Sequence, residues 1–511
     1  MSLPQVSVSR RGVLLGAGLA SAFAAVGGHA GPALAAATPF AHPGMLHTSA
    51  DFARIRTKLA AGDAVVTAGW QRLTANGRSQ SSWRPRPLAT VIRGGTGQNY
   101  PQFYLDVHAA YQNALRWRIT GETAHADTAR DILNSWSRTL TAVNGNADRF
   151  LAAGIYGYQL ANAAELLRGY DGFDLAAAQQ LLMTVFYPMN EDFLVRHNTA
   201  CITNYWANWD LCTVASIMAV GILCEDRKLF DRAVDYTRNG AGNGSIGHAV
   251  PFLHGALGQW QESGRDQAHT VMGIGLLGSI CEMAWNQGVD LYGHDDNRFL
   301  KGAEYVARYN LGQDVPFTTY RWGTGTNCAP REQTAISAAS RGQQRPVWEL
   351  VHNHYAQRRG LPAPNVGAIA ASLRAEGGGG DYGPNSGGYD VLGFGTLLFT
   401  RDRSTATTAA ATAAPATTPA AAGSVPPSPR SGARRSSTGP SARVPVGGVR
   451  NAQAAGAPGS ATATDGPELD LAGQQSGLGV GTGTIAGLAG GTAAAAAIGG
   501  ALLLRLRNRR G

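Results

Sequence analysis

Apolar positions through the middle of this chain return every three or four residues. In "FYLDVHAAYQNALRWRITG", the residues Val107, Ala110, Tyr111, Ala114, Leu115 and Trp117 fall along an apolar stripe of a helix, and Gly121 supplies its stop. The same period runs through "AHADTARDILNSWSRTL", "LAAGIYGYQLANAAELLRGY", "LAAAQQLLMTVFYPMNEDFLVRH", "WDLCTVASIMAVGILC", "KLFDRAVDYTRNG", "HTVMGIGLLGSICEMAWNQG" and "RFLKGAEYVARYNLG". Short Gly, Asn and Asp punctuation separates these runs, and alternation of β-branched residues is scarce. The pattern predicts an all-α domain of helical hairpins. Several runs are apolar on more than one face, as expected of inner helices wrapped by outer ones. Stacked helix pairs form either an open solenoid or a closed ring. Polar aromatic clusters recur at helix ends, where the mouth of a barrel collects them, and this favours an α/α toroid, complete or incomplete.

Both ends of the chain break this pattern. The N-terminus carries Arg10 and Arg11 before an uncharged Gly/Ala-rich run that ends in Ala33-Leu34-Ala35, the form of a twin-arginine export signal over residues 1–37. At the other end, Leu471 to Leu504 is free of charge, and its last part, "TIAGLAGGTAAAAAIGGALLL", is long enough for a membrane-spanning helix over 481–504. Arg505, Arg507, Arg509 and Arg510 follow at once, which predicts a basic cytoplasmic tail over 505–511 and an external domain before it. Residues 401–480, rich in Ala, Thr, Ser, Pro and Gly, lack the apolar side chains to offset their ordering entropy and read as a disordered stalk. The folded domain is then 38–400, on an exported protein that is extracellular or held at the cell surface by its C-terminal helix.

Charge changes the picture little. The chain's net +9 is concentrated in the two ends, so the middle is near neutral and any anion site there is local. Five cysteines, Cys201, Cys212, Cys224, Cys281 and Cys328, form no CxxC pair, which signals neither a zinc site nor a disulfide framework and leaves room for one or two bridges. With no phosphate-cradling loop and no H-E-x-x-H, nothing calls for a metal, a cofactor or a nucleic-acid partner.

Four clusters carry candidate chemistry. In "TNYWANWD", Asn204, Trp206, Asn208 and Trp209 combine ring faces with amides, a common way to bind sugars, although Asn also caps helices and Trp also packs. In "QESGRDQAH", Glu262, Arg265 and His269 are spaced to share a helix face; an acid orients the arginine and a histidine one turn on can act as base. In "TTYRWGTG", a Gly-rich setting that reads as a loop, Arg321 beside Tyr320 would favour the phenolate and make the tyrosine an exchangeable acid or base. In "VWELVHNHY", His354 and Tyr355 follow an apolar turn.

Together with "AAYQNALRWRITGETAHADTARDILNSWS", "LAAGIYGYQLANAAELL" and "GVDLYGHDDNRFLKGAEYVARYNLG", these segments resemble the alginate-lyase domain superfamily over about residues 95–400, especially its glucuronan/alginate lyase branch. The most specific match is the E-x-G-R-D-x-x-H segment, here Glu262, Gly264, Arg265, Asp266 and His269. The resemblance implies an α/α toroid that cleaves an anionic, uronic-acid polysaccharide by β-elimination. Such a reaction needs a group that neutralises the C5 carboxylate, a base for the C5 proton and an acid for the departing O4 oxygen. Asn208, with Arg265 or Arg321 assisting, is the expected neutraliser, and His269 and Tyr320 the expected base and acid. Glu262, Arg265, Arg321, Trp206, Trp209, Asn204, His354 and Tyr355 are expected to bind substrate. Whether Asn204 or Asn208 faces the sugar, whether Tyr320 or Tyr355 is the acid, and whether a histidine or a tyrosine is the base stay open at this level.

Two other classes fit parts of the sequence. A glycoside hydrolase would use Glu262 or Asp266 as acid and Asp210 as base, but Arg265 beside Glu262 opposes a general-acid role. A surface-anchored, non-catalytic glycan-binding protein would depend on Trp206 and Trp209 and not on His269 or Tyr320.

Overall fold

The computed structural model describes residues 39–382 and 389–404. The export signal, nearly all of the stalk, the membrane-spanning segment and the basic tail lie outside the described residues. Among the described residues no helix is long and apolar enough to cross a membrane.

The helices begin where local chemistry tells them to. α1 (Ser49–Ala60) opens on a capping box in which Thr48 and Asp51 satisfy each other's backbone N–H, and α2 (Ala64–Ala75) opens on Asp63, whose carboxylate accepts from Val65 and Val66. α3 (Tyr100–Thr120) follows the predicted stripe and stops at Gly121, which takes the left-handed conformation at φ 82°. α4 (Thr123–Thr139) returns beside it, and α5 (Asp148–Leu166) comes next.

One run expected as a single helix is divided. α6 (Leu175–Leu181) passes through a π-helical turn, Leu182–Phe186, into α7 (Tyr187–Arg196). Pro188 at the start of α7 has no N–H to give to the preceding turn, so the hydrogen-bond ladder shifts there. The series continues with α8 (Ala207–Leu223), α9 (Arg227–Asn239), α10 (Ile246–Ala249), α11 (Gln267–Asn286) and α12 (His294–Asn310). α13 (Trp348–His352) runs into a π-helical turn, Asn353–Arg358, before α14 (Pro364–Ser372) and α15 (Gly395–Phe399).

Burial separates inner from outer helices. Every residue of α8 is buried, and so is all of α5 except Arg149, whereas α9 buries only Leu229, Phe230, Ala233, Val234 and Thr237, one stripe of its surface. α3 packs on α5, α5 on α8, α8 on α11, α11 on α13, α13 on α15, α15 on α1 and α1 on α3, a circuit that returns to its start. α4, α9 and α12 back α3, α8 and α11 from outside. This is the α/α toroid that the alternation of buried and amphipathic helices predicts.

Six three-residue strands escape the sequence pattern because they are too short to show alternation. β1 (Thr90–Ile92) and β2 (Ala142–Asn144) pair in parallel just before α3 and α5, which brings the starts of those helices to one end. β3 (Phe252–His254) and β4 (Leu257–Gln259) form a hairpin, and β5 (Tyr320–Trp322) pairs antiparallel with β6 (Arg331–Gln333). The segment around Tyr320 is therefore a strand rather than a loop. A Cys201–Cys328 disulfide ties the β5–β6 connection to the segment that leads into α8, and Cys212, Cys224 and Cys281 are free thiols.

The tightest seam in the circuit is α5 against α8, which depends on Gly154. A Cβ there would stand 2.5 Å from Cys212 Sγ and 2.9 Å from the Cys212 carbonyl carbon, closer than packing allows. Gly154→Ala is expected to destabilise the domain by about 1–3 kcal/mol despite its gain in helix propensity. Urea unfolding checks this, and an increase in stability would contradict it.

Candidate active site

The starts of the inner helices meet at one end of the ring, and the candidate residues of α8 and α11 meet there too. The backbone N–H of Asn208, in the first turn of α8, donates to Glu262 Oε1 at 2.9 Å. Its amide Nδ2 donates to both carboxylate oxygens, at 3.0 and 2.8 Å. Glu262 lies in the turn before α11 and has no exposed surface. Its remaining donor is Arg265, whose Nη1 reaches Oε2 at 2.9 Å. A buried carboxylate is tolerable when donors surround it in this way, and removing one would leave the rest unpaired.

The chain of contacts continues into α11. Asp266 caps the helix: Oδ1 accepts from the His269 backbone N–H at 2.7 Å, while Oδ2 lies 2.7 Å from His269 Nδ1. Burial would raise the Asp266 carboxyl, but the hydrogen bond from His269, the charge that ring carries at acid pH and the charge of Arg265 outweigh it and hold the group down at about 2. Beside an ionised carboxylate, Nδ1 carries the ring proton, and Nε2 keeps its lone pair. That lone pair faces Arg265 Nη2 at 3.2 Å. One guanidinium thus joins the buried Glu262 to the acceptor nitrogen of His269.

An aromatic wall adjoins this arginine. The half-buried Trp206 lies under the Arg265 guanidinium at 4.9 Å, Trp322 packs on Trp206 at 4.7 Å, and Tyr320 stacks on Trp322 at 5.6 Å. Tyr320 Oη donates to Asn243 Oδ1 at 3.1 Å. Burial is the main reason that the Tyr320 phenol is pushed up to about 12; a Gln261 hydrogen bond opposes the shift and the charge of Glu262 adds to it.

Several expected residues stand elsewhere. Arg321 alternates to the far side of β5, where it is exposed and pairs with Glu332 at 3.1 Å, so it neither assists Asn208 nor activates Tyr320. Trp209, 4% exposed, is sealed between Phe193 and Tyr205 and has no free ring face for a sugar. Asn204 is half-buried, and it is its backbone oxygen that receives Arg331 Nη1, at 3.4 Å. His354 packs on Trp285 near the other end of α11, roughly 24 Å along the helix from His269. Burial and the charges of Arg358, Arg359 and Arg401 force His354 down to about 2. Tyr355 is fully buried and bonds the Tyr292 carbonyl. Neither residue lines the site: His354 is packed among Trp285, Tyr292 and Tyr355, and Tyr355 against Tyr292 and Phe299. The Asn208 amide, expected on the substrate carboxylate, is spent on Glu262.

Trp322, which the sequence offers only as a neighbour in the Tyr320–Arg321 cluster, joins the site, as do Asn243 and Arg345. Strand alternation would have placed Trp322 beside Tyr320. Asn243 and Arg345 come from irregular segments with no local pattern to betray them. Among the described residues no group of three or more His, Cys, Asp or Glu side chains is placed to hold a metal ion.

A carboxylate-fixed histidine, a guanidinium against its lone pair and a tryptophan face beneath that guanidinium make a site suited to acidic sugars. The family model described as "Alginate lyase" matches residues 96–316, from just before α3 to just past α12, including Asn208, Glu262, Arg265, Asp266 and His269. Residues 96–316 thus carry an alginate lyase domain match, which supports a polysaccharide lyase. Among solved structures it is similar to alginate lyase A1-III from Sphingomonas species A1, at 15% identity over 69% of this chain and 95% of that one, with a TM-score of 0.45. A variant of the same A1-III enzyme complexed with a tetrasaccharide gives 15% identity, 69% and 95% coverage and a TM-score of 0.46. An alginate lyase from Bacteroides ovatus gives 11%, 65%, 96% and 0.45. No curated protein matches this chain.

The Asp266 carboxyl sets a stability test. A carboxyl lowered by folding stabilises fully above its unfolded value, roughly 3.9, and that contribution is lost as pH falls through about 2. Asp266→Asn should therefore destabilise the domain at neutral pH by on the order of 2 kcal/mol, and the difference from the unmodified chain should shrink as pH approaches 2. Urea titrations across that range check it; a difference independent of pH would contradict it.

Proposed function

We propose that this domain cleaves a uronic-acid polysaccharide of glucuronan or alginate type by β-elimination, on an exported protein anchored at the cell surface by its C-terminal helix. The observation that carries the chemistry is the bond between Arg265 Nη2 and His269 Nε2. The C5 hydrogen of a uronate is scarcely acidic while its carboxylate is ionised and free. Arg265, whose Nη1 and Nη2 face Glu262 and His269, is the cation available to hold that carboxylate over Trp206. Drawing the guanidinium onto the substrate frees the Nε2 lone pair, and the base becomes available only when a uronate is present.

Asn208 and Glu262 act in this reading as positioning groups. Their hydrogen bonds hold Arg265 in place, so the neutralising role expected of Asn208 passes to Arg265. Trp206, Trp322 and Tyr320 offer the ring faces and apolar edges that a pyranose packs against. The hydrolase alternative loses its carboxylates. Asp210, 1% exposed, is taken up by His197, Tyr236 and the Gly244 N–H, Glu262 by Asn208 and Arg265, and Asp266 by the His269 backbone and ring.

The test is absorbance near ~235 nm while the full chain is incubated with glucuronan, polymannuronate, polyguluronate or hyaluronan, because elimination leaves a conjugated C4=C5 uronate and hydrolysis does not. We expect a rise on glucuronan or on an alginate polymer, lowered by a factor on the order of 100 to 10,000 in His269→Ala. New reducing ends without absorbance would make the protein a hydrolase. Saccharide binding that Trp206→Ala abolishes, with no product of either kind, would make it a binding protein.

A further inference from the structure

The tyrosine–arginine pairing that sequence order suggests for Tyr320 and Arg321 is realised by a different pair. Tyr382 is half-buried, and its phenol oxygen accepts a hydrogen bond from Arg345 Nε at 2.9 Å. Arg345 is 3% exposed and lies over the Tyr382 ring at 5.3 Å. Asp390 Oδ1 stands 3.1 Å from the same Nε as an ion pair, without the alignment of a hydrogen bond. The other arm of the guanidinium, Nη1, donates to the carbonyl oxygen of Ala268, the residue before His269, and the charge of Asp266 also acts on Arg345. The rigid guanidinium fork thus joins the Tyr382 oxygen to the first turn of α11. Tyr382 and Arg345 both lie outside the stretch that the family model matches.

We propose that Tyr382 is the general acid that protonates the departing O4 oxygen, and that Arg345 is the residue that positions it. The inference rests on the lyase reading. An oxygen that already accepts from a cation points its own proton away from that cation, and among the described residues the Tyr382 hydroxyl donates to no side chain or carbonyl. The phenolate left after donation forms beside the Arg345 guanidinium, which is where a negative charge is best received. Burial raises the Tyr382 phenol more than Arg345 lowers it, so the proton stays in place until an alkoxide develops at O4. Tyr320 has neither property: its proton is committed to Asn243, and among the described residues no cation bonds its oxygen.

The balance of the step is complete. His269 Nε2 takes the C5 proton, and the electrons of the C5–H bond form the C4=C5 double bond. The C4–O4 bond breaks, and its electron pair takes the proton of Tyr382. The imidazolium and phenolate that remain are reset by loss of one proton to water and gain of one from it.

The experiment compares two leaving groups on the full chain. Tyr382→Phe should lower kcat on the responsive polymer on the order of 100-fold with little change in KM, because an alkoxide cannot leave unprotonated. On a synthetic uronate carrying 4-nitrophenolate at C4, which leaves without a proton, the same variant should stay within roughly threefold of the unmodified chain. His269→Ala should lose both reactions. An undiminished rate on the polymer, or an equal loss on both substrates, would overturn the role of Tyr382. Failure of the unmodified chain to eliminate from either substrate would instead overturn the lyase reading beneath it.

Discussion

Glu262 is a carboxylate with none of its surface exposed, and the site is arranged around the need to surround it with donors. The Asn208 backbone and amide, in the first turn of α8, and the Arg265 guanidinium, in the turn before α11, meet that need. Once Arg265 is fixed on Glu262, its remaining nitrogen is aimed at His269, and Asp266 fixes the far side of the same ring. A buried polar chain of this kind specifies one geometry, since every member would be left unpaired by any other. The register of α8 against α11 and the protonation of the histidine are thus consequences of one constraint.

The toroid is what lets that constraint be met. Residues far apart in sequence share a site because the inner helices start at one end, and the parallel β1–β2 pair, the Asn208–Glu262 bonds and the Arg345–Ala268 bond each tie one start to the next. Chemistry placed on first turns is also held by the rigid part of each helix, and Asp266 serves at once as N-cap and as the histidine's partner. The Cys201–Cys328 bridge adds a covalent tie between the approach to α8 and the β5–β6 connection, near the aromatic wall of Trp206, Trp322 and Tyr320.

What could be read from the sequence was whatever is local. The stripe of α3 and its glycine stop, the all-round apolar α8 and α11 and the one-sided α9 follow from the spacing of apolar residues; Glu262, Arg265 and His269 do come together, but Glu262 and Arg265 lie in the turn before α11 and not on the helix face that their spacing suggested. The same spacing misled where the element was misread. Taken as a loop, "TTYRWG" put Arg321 next to Tyr320 in function as well as in sequence, whereas a strand sends them to opposite sides and returns Trp322 to the site. Trp209 and His354 have the chemistry of sugar-binding residues but face the core, and only packing decides that. Tyr382 and Arg345, 37 residues apart, are joined by the fold alone.

The central claim is that His269 keeps an unprotonated Nε2 against Arg265 and releases it when a uronate draws the arginine away. The most direct measurement is nitrogen-15 NMR of the histidine side chains in the full chain at neutral pH, with His269 assigned by its loss in His269→Gln, before and after saturation with a uronate oligosaccharide. The account predicts a ring protonated at Nδ1, with an Nε2 resonance of the lone-pair type that shifts further in that direction when the sugar binds. A ring protonated at Nε2, or one indifferent to the saccharide, would contradict it.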